Sequence, residues 1–188
     1  MDFFQDRKNV DEYIGMIGDD DGRELVELLR TELPDGASVL ELGMGPGRDL
    51  NLLKNTFKAC GSDSSTVFLD LYREKHPESD LLKLDVRTLE TDRTFDALYS
   101  NKVLHHLKKD ELIQSVHRQT EILNSGGIIC HSFWRGTTHE TMEGLFFQYY
   151  LENEINDLFG TLFDILHLKV YKEFEHEDSI LLLARLKS

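Results

Sequence analysis

A run of strand-forming residues that passes directly into glycines constrains this chain of 188 residues more than any other feature: Ala37-Ser38-Val39-Leu40-Glu41-Leu42-Gly43-Met44-Gly45-Pro46-Gly47. A short, nearly continuous apolar run that ends in a glycine turn and then a helical pattern reads as one unit of a parallel α/β sheet. Glycines at such a turn permit positive φ and let backbone approach a ligand with no Cβ in the way. The helix that starts near Gly47 offers free N–H groups to a carboxylate or phosphate. An ordinary tight strand-to-helix turn would use the same residues, so the loop alone does not establish a ligand.

The rest of the chain repeats the alternation. A helix is expected over 20–33, with Leu25, Leu28 and Leu29 on one face and Asp19 to Asp21 available as caps, before the turn Pro34-Asp35-Gly36. After the glycines a helix runs to about 56, then a short strand, Lys58 to Ser62, ends at Asp63. Residues 64–76 carry a helical stripe of Val67, Phe68, Leu71 and Tyr72, stopped by Pro77. Leu81 to Leu84 forms a third strand ending at Asp85, and Phe95 to Ser100 a fourth, followed by Asn101. A helix over 109–124 is terminated by Asn124-Ser125-Gly126-Gly127, and Gly127 to Phe133 is the fifth strand. Residues 135–160 suggest a loop with short helices around Phe146–Tyr150 and Glu152–Phe159. The end reads as a hairpin, alternating at Leu166, Leu168 and Val170 and returning as Ile180 to Leu186. The pattern predicts an α/β fold with seven strands, five of them separated by helices.

In an open parallel sheet, ligands bind at the carboxyl ends of the strands, near the point where strand order reverses. Here the strand ends carry the glycine loop, Asp63, Asp85 and Asn101 in order. The dinucleotide fingerprint G-x-G-x-x-G fails in both registers, because Arg48 and Leu50 stand where its third glycine belongs. Asp63 lies twenty residues after Gly43, where a carboxylate can accept from both ribose hydroxyls. In cap-rich Ser62-Asp63-Ser64-Ser65 it also suits a helix start. Asp85, beside Val86, can accept from an adenine amino group while the valine packs on the ring; a turn aspartate is the alternative.

Composition bounds the partners. The formal net charge is −14, the wrong sign for a chain that neutralises nucleic-acid phosphates, so polynucleotide binding is disfavoured. Cys60 and Cys130 read as reduced, packed thiols, and no spacing suggests a metal site. No run of 18 apolar residues exists, and Met1-Asp2-Phe3-Phe4-Gln5-Asp6 lacks the regions of a signal peptide. A cytoplasmic protein away from membranes is the expectation.

Val39 to Gly47 resembles motif I of the class I S-adenosylmethionine-dependent methyltransferases. Gly61-Ser62-Asp63-Ser64-Ser65, Leu84-Asp85-Val86, Phe95 to Leu107 and Leu123 to Ile129 resemble the motifs that follow it, in the family's order. The likeness covers about 36–133. It implies a Rossmann-like, doubly wound, mostly parallel seven-stranded sheet with an antiparallel C-terminal hairpin, forming one domain. In that domain 1–35 is an N-terminal helical lid segment, 36–133 the cofactor-binding core, and 134–188 the acceptor-side helices and hairpin. It further implies S-adenosylmethionine as cofactor. Gly43, Gly45 and Gly47 would border its methionine part, Asp63 the ribose, Asp85 and Val86 the adenine, and Asn101 the amino group, through its carbonyl; Met44 and Ser64 would also bind the cofactor. Glu41 would order the loop and reach the amino group through water, and Arg48 could pair with the carboxylate.

A sulfonium methyl is already activated, so such an enzyme mainly aligns and dehydrates. A hydroxyl acceptor would also need a base, for which His105 is the candidate. Tyr13, His106, Trp134 and Arg135 are candidates for the acceptor side. A small-molecule acceptor is the leading expectation. A protein or RNA methyltransferase and a non-catalytic cofactor-binding module are the alternatives, the former weakened because Lys102-Val103-Leu104 follows Asn101 where an amide- or base-methylating relative carries prolines and an aromatic.

Overall fold

The computed structural model describes residues 3–17 and 21–188. Among them a seven-stranded sheet runs in the order β3-β2-β1-β4-β5-β9-β8, with a separate two-stranded hairpin, β6-β7. The strands are β1 Ser38–Leu42, β2 Lys58–Asp63, β3 Leu81–Lys83, β4 Phe95–Ser100, β5 Leu123–Trp134, β6 His139–Met142, β7 Leu145–Gln148, β8 Phe163–Tyr171 and β9 Ser179–Leu186. The helices are α1 Arg7–Met16, α2 Arg23–Arg30, α3 Arg48–Leu53, α4 Thr66–Lys75, α5 Lys109–Ile122 and α6 Glu152–Phe159. β1 to β5 pair in parallel, while β9 runs antiparallel to both β5 and β8. The expected doubly wound sheet with a closing antiparallel hairpin is therefore what the chain forms.

Strand alternation explains the two-sided core. Leu40, Leu42, Leu98, Ile129, Phe133, Ile180 and Leu182 pack on one face with Leu112 and Val116 of α5 and Ile155 and Phe159 of α6. Val39, Ala97, Tyr99, Ile128, Cys130, Leu181 and Leu183 point the other way, onto Leu25, Val26 and Leu29 of α2, Leu50 and Leu53 of α3, and Leu69 and Tyr72 of α4. Each central strand is thus buried on both faces, which is why its sequence reads as an apolar run rather than an alternation. The order reverses between β1 and β4, and this reversal opens the crevice described below.

Several local expectations need correction. Phe146 to Tyr150 is not helical: Leu145–Gln148 pairs with His139–Met142 across a two-residue turn, Glu143-Gly144, with φ of 50° and 82°. Two consecutive positive φ values are those of the tight turn that matches strand twist. The helix expected to reach 124 ends at Ile122, and β5 already pairs at Leu123 with Phe95 before a register shift to Ile128 opposite Ala97. Gly126, at φ 70°, supports that irregularity. The helix expected from 20 begins at Arg23, with the Asp21 carboxylate accepting from the Arg23 N–H at 3.2 Å; the proposed caps Asp19 and Asp20 lie outside the described residues. The stripe on α4 is Phe68, Leu69 and Tyr72, and its cap is Ser65, whose hydroxyl accepts from the Phe68 N–H at 3.2 Å.

Candidate functional site

A cavity of about 420 Å³ opens where the strand order reverses. Its walls come from the carboxyl ends of four strands: Gly43 and Gly45 after β1, Asp63 and Ser64 at the end of β2, Asp85, Val86 and Arg87 after β3, and Lys102, Val103 and His106 after β4. The N-terminal segment closes one side with Phe4, Gln5 and Tyr13. That segment is fixed to the β2–α4 turn: the Gln5 amide donates to the Ser64 carbonyl at 2.8 Å, the Ser65 hydroxyl donates to the Phe4 carbonyl, and Phe4 and Tyr13 pack on Phe68 at 5.5 and 6.0 Å between ring centroids. Burial, followed by the nearby Asp63 charge, pushes the Tyr13 phenol up, so its hydroxyl remains a donor.

Asp63 is the best-organised polar group on the wall. One carboxylate oxygen accepts from the Gly45 N–H at 2.9 Å and the other from the Ser65 N–H at 2.8 Å. Each oxygen keeps a second acceptor position, which suits a pair of neighbouring hydroxyls. Burial raises its carboxyl above the ordinary value, and the backbone donors work against that shift. Gly45, at φ 49°, has no atom within 4 Å of where a Cβ would sit, so the backbone next to Asp63 is open to a ligand.

Asp85 is held differently. The Arg87 side chain donates to both carboxylate oxygens, Nε to Oδ1 at 2.9 Å and to Oδ2 at 3.0 Å and Nη2 to Oδ2 at 2.5 Å, and the Arg87 backbone N–H donates to Oδ1 at 2.9 Å. Those side-chain bonds hold the Asp85 carboxyl below its usual range. Arg87 also reaches Glu111, at 3.5 Å. Arg87 is absent from the sequence-based candidates, and its one linear signal is the D-x-R spacing of Asp85-Val86-Arg87, which brings a cation back onto a turn carboxylate.

Behind the glycine loop lies a second acidic layer. The Asp49 carboxylate accepts from the Gly22 N–H at 2.7 Å, the Tyr99 hydroxyl at 2.7 Å and the Asn101 amide at 3.1 Å. The Asn101 side-chain oxygen accepts from Ser132 at 2.6 Å, so the side chain is tied to the scaffold at both ends, and Asn101 is not among the residues lining the cavity. Glu41 is buried, and its Oε2 has no hydrogen-bond partner. Burial, with Asp49 and Asp63 nearby, pushes its carboxyl well above the usual range. Met44 and Gly47 face the α3–α4 side: a Cβ on Gly47 would stand 2.3 Å from the Tyr72 ring, and Met44 lies in the same apolar cluster as Tyr72. Arg48 donates to the Ile17 carbonyl at 3.2 Å, tying α3 to the end of the N-terminal segment.

The structure separates the two neighbouring histidines: His106 lines the cavity, where an acceptor-side residue is expected, and His105 does not. His105 is sealed, with neither ring nitrogen partnered, and stacks on Phe147 with centroids 5.4 Å apart. Burial pushes its imidazole well below the ordinary value, and it is not on the cavity wall. A base at His105 has no route to a ligand in this arrangement, which corrects that assignment. His106 lines the cavity, and its Nδ1 lies 2.8 Å from the Phe146 carbonyl of β7. A carbonyl can only accept, so Nδ1 carries the proton and Nε2 keeps a lone pair. Burial lowers this imidazole too, favouring the neutral ring.

Trp134 and Arg135 do not reach the wall. The Lys102 ammonium sits 3.5 Å from the Trp134 ring centroid and is paired with Glu173 and Ser179, so the indole buttresses Lys102 from behind. Arg135 turns outward to Glu152 at 3.1 Å and Glu177 at 3.9 Å.

Known proteins resemble this chain in part of its sequence and in its fold. A family model described as a methyltransferase domain matches residues 39–127. A trans-aconitate 2-methyltransferase of Variovorax paradoxus is 34% identical over 116 residues, which cover 59% of this chain and 44% of that protein. An (S)-coclaurine N-methyltransferase of Papaver somniferum is 30% identical over 115 residues, covering 54% of this chain and 32% of that protein. The match thus spans less than half the length of either relative. Among solved structures, 1,6-didemethyltoxoflavin-N1-methyltransferase of Burkholderia thailandensis superimposes with a TM-score of 0.79 at 17% identity, covering 95% of this chain and 87% of that one. At that identity the likeness is one of fold.

Proposed function

We propose that this chain belongs to the class I S-adenosylmethionine-dependent methyltransferase family and moves a methyl group from S-adenosylmethionine to a small-molecule acceptor, a reading supported by the methyltransferase-domain match over 39–127. The observation that carries the proposal is the meeting of Asp63, Asp85 and the Gly43–Gly45 backbone on one cavity at the reversal of the sheet. The donor set suits an adenosyl sulfonium with an amino-acid tail. Asp63 has free acceptor positions for two ribose hydroxyls, Asp85 and Val86 have the polarity and shape for an adenine edge, and the unpartnered Glu41 oxygen, beneath the glycine loop rather than on the wall, is satisfied by a cationic ammonium through water.

When bound, the cofactor supplies a methyl already activated by its sulfonium. What remains for the protein is alignment and exclusion of water, worth roughly 7–11 kcal/mol where positioning is good. The carboxylates sit at the ribose, adenine and amino ends of this arrangement. That is favourable, because anionic clamping of a sulfonium that loses its charge in transfer would favour the ground state. Tyr13, Val103 and His106 form the wall left for the acceptor, and His106 Nε2 takes the proton of an acceptor that must lose one.

In this reading 36–133 is the cofactor-binding core, the described part of 1–35 is a lid, and 134–188 supports the acceptor side, with Phe146 of β7 reaching the cavity. A cavity of about 420 Å³ that also receives a nucleoside leaves room for a small acceptor or an exposed group. The relatives named above are named for trans-aconitate, coclaurine and a didemethyltoxoflavin, all small molecules.

Titration with S-adenosylmethionine, S-adenosylhomocysteine and NADH tests the cofactor class: the two sulfur nucleosides should bind and NADH should not. Methyl transfer to a metabolite panel but not to RNA or protein extracts supports the acceptor class. Transfer to the extracts alone overturns it, and tight binding with no transfer to anything favours a binding module.

A further inference from the structure

A buried polar chain crosses the core from the end of β4 to the cavity. Ser100 Oγ lies 2.8 Å from His131 Nδ1, and His131 Nε2 lies 3.0 Å from Gln119 Oε1. Gln119 Nε2 is 3.3 Å from Ser115 Oγ, which is 2.6 Å from the Val86 carbonyl. All four side chains are fully buried, on β4, β5 and α5. The next peptide continues the chain, since the Arg87 N–H, on the same peptide plane as the Val86 carbonyl, donates to Asp85 Oδ1 at 2.9 Å.

The carbonyl end determines every proton in this chain. The Val86 oxygen can only accept, so the single Ser115 hydroxyl proton is committed to it. Ser115 Oγ must then accept, so Gln119 presents its amide nitrogen to Ser115 and its oxygen to His131. His131 therefore carries its proton on Nε2, and its Nδ1 accepts from the Ser100 hydroxyl. Burial pushes this imidazole down to about 3, which keeps the ring neutral and single-protonated at pH 7. The chain has one consistent direction, and hydrogen bonds aligned in this way polarise one another in a low-dielectric interior.

We propose that Ser100, His131, Gln119 and Ser115 form a positioning relay that fixes the 86–87 peptide and, through it, the Asp85 carboxylate in the orientation that reads an adenine amino group. The proposal rests on the nucleoside reading above and goes further, by assigning base selectivity to residues that touch no ligand. Arg87 holds the carboxylate from the solvent side, and the relay holds it from the core. Loosening the 86–87 peptide lets the carboxylate swing with Arg87, and the selectivity for an amino group over a carbonyl on the purine falls.

The test compares S-adenosylhomocysteine with S-inosylhomocysteine, in which hypoxanthine replaces adenine, by calorimetric titration of the whole protein. Ser115→Ala and, as a second variant of similar volume to wild type, Gln119→Met should each weaken S-adenosylhomocysteine roughly three- to tenfold, the worth of one hydrogen bond. Both should leave the inosyl compound nearly unchanged, so the preference for adenine shrinks by that factor. Nitrogen-15 spectra of the histidines add a readout independent of any ligand. Wild type should show His131 as the Nε2–H tautomer, and Ser115→Ala, which frees Gln119 to turn over, should mix the two tautomers. An Nδ1–H tautomer in wild type, or equal weakening of both nucleosides in the variants, overturns the relay while leaving the cofactor reading standing. A wild-type protein that binds neither nucleoside defeats both, and the spectra then show whether the buried chain itself is as described.

Discussion

Replacing Asp63 by Asn removes one charge and reverses one hydrogen-bonding atom at the centre of the site. In the wild type the two carboxylate oxygens accept from the Gly45 and Ser65 N–H groups at 2.9 and 2.8 Å. An asparagine keeps one acceptor oxygen, so its amide nitrogen must face one of those backbone donors. The folded protein then carries an unsatisfied N–H worth about 1–3 kcal/mol, partly offset because burial already disfavours the ionised carboxyl. The ligand loses more selectively. One of two ribose hydroxyls faces a donor instead of a carboxylate, and a hydrogen bond to a charged group is worth about 1.5–3 kcal/mol. The dissociation constant for S-adenosylhomocysteine should therefore rise about ten- to a hundredfold. Calorimetry with the folded variant, checked by circular dichroism, measures it directly. A 2′,3′-dideoxy analogue closes a cycle: it should bind wild type weakly and be nearly insensitive to the substitution. If Asp63→Asn binds the natural nucleoside within threefold of wild type, or loses the dideoxy analogue equally, the ribose role of Asp63 is refuted.

Other outcomes follow from the same geometry. Glu41 is an acid whose folded carboxyl is raised well above 4.5, so the native state holds its proton longer than the unfolded chain, and stability should fall as pH climbs above 4.5. Glu41→Gln should flatten that decline in a thermal-melt series from acid to neutral pH, and an unchanged slope would contradict the assignment. His105→Phe removes two sealed nitrogens from an aromatic setting, and should leave nucleoside binding intact and stabilise the fold by about 1 kcal/mol or more in urea titration. His106→Gln should instead leave nucleoside binding unchanged but abolish transfer to acceptors that must give up a proton; loss of transfer from His105→Phe alone would restore the base to His105. Gly47→Ala, at φ 83° with a Cβ 2.3 Å from the Tyr72 ring, should cost at least about 2 kcal/mol by the same titration, and a wild-type midpoint would contradict the packing described.

The sequence was most legible where one interaction dominated. β1 and β4 are read from apolar runs because both their faces are buried, and β4 comes out residue for residue, Phe95–Ser100. The order of chemistry at the strand ends was equally plain, since Gly43, Gly45, Asp63, Asp85 and Val86 do share a wall. Legibility failed where tertiary packing decides between conformations of similar local cost. Phe146-Phe147 fits a helix stripe or a strand, and the Glu143-Gly144 turn that settles it lacks the Asn or Asp that usually marks such a hairpin. His105 and His106 are neighbours in sequence and nearly equivalent as residues. Only the placement of the β6–β7 hairpin buries one and leaves the other beside the cavity. Trp134 and Arg135 were expected at the acceptor side because they follow a strand end, yet Lys102 and Glu152 engage them elsewhere. The buried chain through His131 has no linear motif, because its members come from three elements joined only in the fold.

The central claim is that the ends of β1, β2 and β3 jointly seat an adenosyl nucleoside, and a crystal structure grown with S-adenosylhomocysteine tests it most directly. The account predicts both ribose hydroxyls within hydrogen-bond distance of Asp63, the adenine amino group at Asp85 and the amino-acid tail toward Glu41. The nucleoside found elsewhere on the molecule, or the Asp63 and Asp85 carboxylates without contact to it, would contradict the account.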